Sequence, residues 1–318
     1  MNALIFIQSE EDKILRSSIE SICGMQQLCN DPDDTINTIC FNGAIQAELE
    51  KYKLNTNYLV EGLNEFSPLE YVLALEQIIK EQNPDIIVFS HTYQARDWVP
   101  RLSARLDIPF ISDCINIAKN DSGFMLTKQM YQGKINADIL AKKSVIVSFQ
   151  SGAFRADGLE LGSSNSEIVS VDTNLSDNTI RPLDRFKESK GGVDLSSAQI
   201  IVSVGRGISK EENMPLVQEL STALSAELGS SRPVVDYGWL PHERQVGSSG
   251  QVVSPKLYLA VGISGAIQHQ VGMKGSDNIM AINKDPNAPI FEIADYGIVG
   301  DLFEILPKLT ELIKNHQS

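Results

Sequence analysis

The chain has 318 residues, 42% of them hydrophobic and 21% charged, and a formal net charge of −14. This length and composition are typical of a globular protein of about two domains, and they exclude collagen-like, coiled-coil and wholly disordered chains. Both halves carry an acidic excess, which argues against binding to nucleic acid or to an anionic membrane surface, because either would require a basic face.

Cysteine usage and the start of the chain predict a location. Cys23, Cys29, Cys40 and Cys114 form no C-x-x-C pair, as expected of thiols in a reducing compartment. The N-terminus shows neither the basic segment nor the long apolar core of a secretory signal. No apolar run approaches the roughly 18 residues that span a bilayer, so membrane insertion is not expected. We therefore expect a bacterial, cytoplasmic protein.

The first half alternates between strand and helix patterns. Strands are predicted at Ala3–Gln8, Thr35–Phe41, Asp85–Ser90 and Ile108–Ile111. A capping box of Ser67 and Glu70, with Pro68 at the first helical position, begins a helix that ends before Pro84. This rhythm predicts a parallel sheet with helices on both faces. Further strand patterns at Phe124–Tyr131 and Val145–Phe149, with few helices between them, predict antiparallel strands at the sheet edge.

The segment from Leu159 to Gly192 is rich in Ser, Asn, Asp and Gly and has little periodicity, apart from a short strand pattern at Val169–Val171. Such a composition inside a chain is typical of a domain boundary. The sequence therefore predicts two α/β domains with mainly parallel, doubly wound sheets, formed by residues 1–190 and 191–318.

The second half repeats the alternation. Strands are predicted at Gln199–Val204, Pro233–Val235, Leu257–Val261 and Asn278–Ile282. Ser209 and Glu212 predict a capping box. The helix behind it is expected to carry Leu216, Leu220, Leu224 and Leu228 and to end at Gly229. Asp301 is expected to cap a last helix that Pro307 kinks.

Glycines follow two of these strands. Gly205-Arg206-Gly207 comes after the first strand, and Gly262–Gly265 comes after Leu257–Val261 and opens a helix. In a doubly wound sheet, ligands bind beyond the carboxyl ends of the strands, where glycine allows close approach and free N–H groups favour phosphate. The pattern predicts a site for a phosphate-bearing ligand; tight turns that bind nothing are the alternative.

Several familiar sites are disfavoured. Lys210 stands where a third glycine would complete the dinucleotide fingerprint, and no G-x-x-x-x-G-K-[ST] motif is present, which argues against ordinary NAD dehydrogenases and P-loop kinases. The four histidines show no metal-ligand spacing. No serine lies in a G-x-S-x-G context. We expect neither a metal site nor a catalytic nucleophile.

Two long segments closely resemble the signature of the electron transfer flavoprotein alpha subunit family. They are Pro255–His269 and Ile282–Phe291, the second followed by Ala294–Leu302. Val204–Gly207, Ser231-Arg232 and Gln245–Ser249 fall in the family's order and spacing. The resemblance covers about residues 198–315, whereas the first half resembles the family only in length, rhythm and position.

The resemblance implies a heterodimer with a beta subunit, in which the N-terminal domain supplies most of the interface. It also implies one FAD, bound mainly by a flavodoxin-like C-terminal domain. Arg232 is expected against the isoalloxazine ring, His269 near the pyrimidine carbonyl, Ser249 at N5, and Gly262–Gly265 near the pyrophosphate. The family often has Gln-Thr where this chain has Ser248-Ser249, so an amide contact at 248 is missing. The residues expected to bind FAD are Arg206, Ser231, Arg232, Gln245, Val246, Gly247, Ser248, Ser249, Gly262, Ser264, Gly265, Ala266, Ile267, Gln268, His269, Asn283, Asp301 and Leu302.

The resemblance also implies an electron carrier rather than an enzyme. FAD would accept electrons from acyl-CoA-type dehydrogenases, as in fatty acid β-oxidation, and pass them to a quinone oxidoreductase. Positive charge at Arg232 and His269 would favour an anionic half-reduced flavin. Electron-bifurcating, nitrogen-fixation and carnitine-type members of the family are alternatives, and a non-redox adenine-nucleotide-binding module is another.

Overall fold

The structure is a computed structural model that describes residues 1–10, 12–63, 66–131, 133–171, 195 and 198–317. The chain divides into two compact units, Met1–Phe186 and Lys187–Ser318. The boundary predicted between residues 190 and 191 lies outside the described residues and stays a prediction. The short strand predicted at Val169–Val171 is observed slightly earlier, at Asn165–Val169.

The first unit contains eleven strands and four helices within its described residues. The strands are β1 Asn2–Phe6, β2 Ser9–Glu10, β3 Lys13–Ile14, β4 Thr35–Cys40, β5 Thr56–Val60, β6 Ile86–Ser90, β7 Phe110–Asn120, β8 Gly123–Met130, β9 Ile135–Ala141, β10 Val145–Phe149 and β11 Asn165–Val169. The helices are α1 Arg16–Leu28, α2 Gln46–Leu49, α3 Pro68–Gln82 and α4 Tyr93–Leu106, with short 3₁₀ turns at Gly43–Ile45 and Ala156–Gly158.

Nine of these strands form one sheet in the order β11-β5-β4-β1-β6-β10-β7-β8-β9. Pairing is parallel from β11 to β7, and β8 and β9 add antiparallel strands at the edge. The predicted antiparallel edge strand is confirmed at Phe124–Tyr131, which forms β8, but the prediction is wrong for Val145–Phe149. That segment is β10, which pairs in parallel with β6 and β7; its five residues are all buried, as is typical of an interior parallel strand. Successive residues of the central strands enter opposite cores because side chains alternate along a strand. Ile5 and Val88 pack with α1 on one face, and Leu4 and Ile87 pack with α3 and α4 on the other.

Helix α3 begins where the sequence predicts, but for a different reason. The Ser67 side chain makes no capping hydrogen bond, so the expected capping box is not formed. Pro68 fixes a helical φ at a position whose N–H would have no helical partner, which suits a helix start. The helix ends at Asn83, which adopts the left-handed conformation with φ 46°.

The second unit carries five strands and four helices within its described residues. They are β12 Ile200–Val204, α5 Met214–Ala223, β13 Glu227–Ser230, α6 Arg232–Asp236, β14 Leu257–Val261, α7 Ile267–Val271, β15 Ile279–Asn283, β16 Tyr296–Val299 and α8 Leu302–Gln317. Short 3₁₀ turns lie at Arg206–Ile208, Glu211–Asn213, His242–Arg244 and Pro289–Glu292.

All five strands pair in parallel, in the order β13-β12-β14-β15-β16. Counted along this unit, the order is 2-1-3-4-5, which is the flavodoxin-like arrangement that was expected. Val202 and Leu259 face a core covered by α5 and α8. Ile201 and Tyr258 face the other core, which Val246 helps to close.

Two predictions for the second unit are wrong. Ser209 does not cap α5; it follows a 3₁₀ turn with φ 70°, and α5 begins five residues later, at Met214. Leu228 and Gly229 therefore lie in β13 rather than at the end of that helix. The predicted strand at Pro233–Val235 is part of helix α6, because proline fits the first helical turn and Ser231 begins the helix.

The last helix agrees with the prediction at its start. The Asp301 carboxylate accepts a hydrogen bond from the Phe303 N–H at 2.9 Å, which caps α8. The helix continues through Pro307 in a single span.

Candidate functional site

The strand order of the second sheet defines where a ligand would bind. β13 lies on one side of β12 and β14 on the other, so the chain leaves the carboxyl end of β12 in one direction and that of β14 in the opposite one. Such a topological switch point forms the ligand crevice of doubly wound sheets. The two glycine-containing turns begin directly after the strand ends at Val204 and Val261.

The glycines of these two turns meet each other. The Gly205 N–H donates to the Val261 carbonyl at 2.8 Å, and the Gly207 N–H donates to the Gly262 carbonyl at 3.0 Å. A Cβ atom on Gly205 would overlap the Gly262 carbonyl oxygen, and one on Gly207 would lie 2.7 Å from the Gly262 Cα. Packing between the turns therefore accounts for these glycines without any ligand.

Hydrogen bonds from two neighbouring segments of the chain fix the turn after β14. The Asn283 Nδ2 donates to the Ile263 carbonyl at 2.8 Å, and the Ile290 N–H donates to the Ser264 carbonyl at 3.0 Å. Gly265 has φ 85° and lies against the Ile290 backbone, so a side chain at 265 would disturb the turn itself.

The backbone N–H groups at the end of this turn and the start of α7 are unpaired among the described residues. Ser264, Ala266, Ile267 and Gln268 are exposed. Within the part of the chain that the structure describes, their N–H groups and that of Gly265 donate to no acceptor. Successive free N–H groups in a turn attract a phosphate or another anion. The predicted phosphate site therefore rests on these amides rather than on the glycines' lack of side chains.

A second loop, Gln245–Gln251, reaches the same edge. The Ser248 N–H donates to the Gln268 carbonyl at 2.8 Å, which ties the loop to the turn after β14. The side chain of Gln245 is buried and its Nε2 donates to the Ser249 hydroxyl at 3.1 Å. Ser248 and Ser249 are exposed, so both hydroxyls are available to a ligand.

His269 is buried, and its electrostatics differ from expectation. Its Nε2 lies 2.9 Å from the hydroxyl of the fully buried Tyr258, and its Nδ1 has no hydrogen-bond partner among the described residues. Burial lowers the pKa of His269 to about 4, although the Val246 backbone acts in the opposite direction. The side chain is therefore neutral near pH 7, and the positive charge predicted for it is absent from this structure.

Arg232 and Arg206 carry the positive charge described at this edge. Arg232 is the first residue of α6, whose preceding residue Ser231 is buried and donates its N–H to the Val204 carbonyl at 3.0 Å. The Arg232 side chain is 69% exposed, with its Nε 3.4 Å from the Asp236 carboxylate. Arg206 is also exposed, in the 3₁₀ turn after β12.

The remaining predicted residues support the turns. Asp301 caps α8, and the Gly300 N–H donates to the Asn283 carbonyl at 3.0 Å. The side chain of Leu302 is buried and lies over Gly262. The structure thus places the predicted FAD-binding residues on loops, strand ends and the first turns of helices that follow the strands of this sheet. That each of them contacts FAD stays a prediction.

Comparison with known proteins supplies the family. Residues 36–175 match the model described as "Electron transfer flavoprotein domain", and residues 194–274 match "Electron transfer flavoprotein FAD-binding domain". The chain belongs to the electron transfer flavoprotein alpha subunit family. Its second unit is accordingly an FAD-binding domain, and the free amides of the turn after β14 suit the pyrophosphate of that cofactor.

Three relatives span nearly the whole chain. The electron transfer flavoprotein subunit alpha of Thermoanaerobacterium thermosaccharolyticum is 33% identical, covering 98% of this chain and 97% of the relative. The acryloyl-CoA reductase electron transfer subunit beta of Anaerotignum propionicum is 32% identical, covering 98% and 95%. Protein FixB of Shigella dysenteriae is 36% identical, covering 92% and 93%. The family therefore includes members named for more than one pathway.

Two features of other classes of protein are absent from the described residues. None of their helices combines the length and the apolar character needed to cross a bilayer. Nor do those residues contain a group of three or more His, Cys, Asp or Glu side chains able to hold a metal ion.

The neutral, buried state of His269 predicts a pH-dependent stability. The usual pKa of 6.5 applies to the unfolded chain, whereas the folded value is about 4. Between these values the unfolded chain binds a proton that the folded chain excludes, so the free energy of unfolding falls as the pH falls from 6.5 to 4. The loss attributable to this residue is about 3 kcal/mol.

The measurement is urea unfolding of flavin-free protein between pH 7 and pH 4.5, for the wild type and His269→Gln. The variant should lose less stability than the wild type over this range, because glutamine does not titrate. Parallel curves for the two proteins would show that His269 is not the titrating group.

Proposed function

We propose that this chain is the alpha subunit of a heterodimeric electron carrier whose FAD lies at the carboxyl edge of the second sheet. FAD accepts electrons from acyl-CoA-type dehydrogenases and passes them to a quinone oxidoreductase or a similar acceptor. The observation that carries the proposal is the run of free N–H groups at Ser264–Gln268, four of whose five residues are exposed, placed at the switch point of a domain that matches the family's FAD-binding model.

The chemistry of the edge supports a carrier rather than an enzyme. FAD itself supplies the redox chemistry, and the protein binds, orients and tunes it. The described side chains at the edge offer hydroxyls at Ser248 and Ser249, an amide at Gln268 and the guanidinium of Arg232. Because His269 is neutral, buried and bonded to Tyr258, it is poorly suited to abstract protons from a substrate.

The antiparallel extension of the first unit supports a partner chain. Met130, Tyr131, Ile135 and Leu140 on and between β8 and β9 are large hydrophobic residues with 40% to 74% of their surface exposed. Exposed apolar side chains clustered on one hairpin are typical of an interaction surface. We propose that this hairpin contributes to the interface with the beta subunit, consistent with the expectation that the first domain supplies most of that interface.

A second candidate within the family is a member that serves a different pathway. The relatives named acryloyl-CoA reductase electron transfer subunit and FixB match 98% and 92% of this chain, against 98% for the relative named electron transfer flavoprotein alpha subunit. In the electron-bifurcating type, the beta subunit carries a second FAD. The two candidates therefore differ in flavin content.

The test is a visible spectrum and a flavin count for the chain co-purified with its beta subunit. One FAD per heterodimer supports the simple carrier, and two support the bifurcating type. A colourless complex would overturn the proposal and leave the adenine-nucleotide-binding module.

The position of the phosphate can be tested separately at Ala266. Its side chain is exposed and precedes α7, so Ala266→Asp should fold normally, because aspartate is favoured before a helix. Its charge would repel the pyrophosphate, and we expect at least a roughly tenfold loss of FAD affinity, since about 1.4 kcal/mol corresponds to that factor. Ala266→Asn is the uncharged control and should lose less. Equal affinities of the wild type and the aspartate variant would place the phosphate elsewhere.

A further inference from the structure

Gln245 holds a donor inside the protein that is aimed at an exposed hydroxyl. Only 3% of its surface is exposed. Its backbone is fixed on both sides, since its N–H donates to the His242 carbonyl at 2.9 Å and its carbonyl accepts from the Gln251 N–H at 2.7 Å. From this fixed position its Nε2 donates to the Ser249 Oγ at 3.1 Å.

This hydrogen bond restricts a side chain that otherwise has little to restrain it. A serine side chain can occupy three staggered rotamers, and its hydroxyl hydrogen rotates freely. Ser249 is exposed, so packing does not select one rotamer. The amide of Gln245 draws the oxygen into one position and occupies one of its lone pairs. An amide nitrogen can only donate, so the hydroxyl hydrogen must point away from Gln245.

We propose that Gln245 is a positioning residue that presents the Ser249 hydroxyl as a hydrogen-bond donor to the ring of the bound flavin. The inference rests on the proposed function and adds a residue that acts only through another one. A donor held against a ring nitrogen stabilises electron density there, so it raises the tendency of the ring to accept an electron. In this proposal Gln245 acts on the flavin through Ser249, with which its side chain forms the hydrogen bond described above.

The same physical argument predicts a rescue. Threonine is branched at Cβ, and its χ1 angle is restricted without outside help. Replacing Gln245 should therefore have a larger effect when serine stands at position 249 than when threonine does. A merely structural role of Gln245 in the loop would not depend on which hydroxyl residue stands at 249.

The experiment uses the FAD-loaded heterodimer and measures the equilibrium of one-electron reduction by redox titration. Gln245→Met keeps the length of the side chain and removes the donor. We expect this change to lower the equilibrium constant for one-electron reduction of the flavin roughly three- to tenfold, while FAD stays bound. This factor corresponds to the loss of one net hydrogen bond. Gln245→Met combined with Ser249→Thr should recover at least half of that loss. In a Ser249→Ala background, Gln245→Met should have no effect, because no hydroxyl is left to position.

Gln245→Glu supplies a second, independent variant. A carboxylate accepts a hydrogen bond from the Ser249 hydroxyl, so the hydroxyl hydrogen points toward residue 245 and not toward the flavin. Gln245→Glu should therefore lower the equilibrium constant for one-electron reduction more than Gln245→Met does. The inference is overturned if Gln245→Met has the same effect with Ser249 and with Ala at 249, or if the threonine double variant recovers nothing. A wild-type heterodimer without flavin would instead contradict the proposed function, so the two failures are distinguishable.

Discussion

Gly205→Ala is expected to destabilise the second unit by about 3 kcal/mol or more and to abolish FAD binding. Gly205 has φ −108°, which alanine adopts without strain, so the whole effect is steric. The added methyl group would overlap the Gly262 carbonyl oxygen, and neither turn can yield easily. Both turns follow central strands of the sheet, and each is hydrogen-bonded to its neighbour.

Gly158→Ala is the matched control. Gly158 lies in the first unit, and its added Cβ would have its nearest neighbour, the Gln27 Nε2, at 3.6 Å, which is an ordinary contact. We expect this variant to unfold like the wild type and to keep its flavin. Urea unfolding followed by flavin fluorescence and far-ultraviolet circular dichroism measures both effects. A Gly205→Ala protein with wild-type stability would show that the two turns are not in contact.

The strands of the second sheet could be predicted because their signal is local. Gln199–Val204 and Leu257–Val261 are short aliphatic runs ended by glycine, and buried parallel strands have this composition. Their carboxyl ends define the switch point, so the sequence also predicts the edge at which we propose that FAD binds.

Prediction of secondary structure failed where the same local sequence pattern is compatible with a different element. Pro233-Val-Val235 has strand-like composition, but proline after Ser231 begins helix α6. Helix α1 gave no recognisable pattern because its buried face includes polar residues. Ser18 and Ser21 lie within 3.5 Å of the Ser90 hydroxyl, and Glu20 accepts from the Gly152 N–H at 2.8 Å. These partners are distant in the sequence, so periodicity cannot reveal them.

Long-range contacts also limited how much of the candidate site could be predicted from the sequence. The residues at the edge were predictable from motif and position, but their environments were not. Tyr258 was noted only as part of a strand, and its contact with His269 depends on how the strand and α7 pack. The low pKa of His269 follows from burial, which a lone histidine in a sequence does not disclose. A tyrosine within an otherwise aliphatic strand was the available signal, because a buried tyrosine hydroxyl needs a partner.

We propose that Arg232 lies against the flavin ring. Because His269 is neutral, Arg232→Ala should then lower the first one-electron potential of the flavin. A hydrogen bond to a charged group contributes roughly 1.5–3 kcal/mol, and about 1.4 kcal/mol corresponds to roughly 59 mV. The expected decrease is therefore roughly 60–130 mV. FAD should stay bound, because we propose that the amides of Ser264–Gln268, and not Arg232, hold its phosphate.

Two further variants separate the effect of the charge at position 232 on the flavin potential from the effect of the planar shape of the guanidinium. Arg232→Lys should restore only part of the potential, because an ammonium group is a point charge and cannot lie flat against a ring as a guanidinium does. Asp236→Asn removes the neighbouring carboxylate, 3.4 Å from the Arg232 Nε. Because exposed ion pairs of this kind are weak, the variant should fold normally and leave the potential unchanged or slightly raised. Redox titration of the three heterodimers is the measurement. If the alanine variant stays within about 15 mV of the wild type, less than the roughly 59 mV of a tenfold change, Arg232 is a solvated surface residue and the flavin is tuned by other groups.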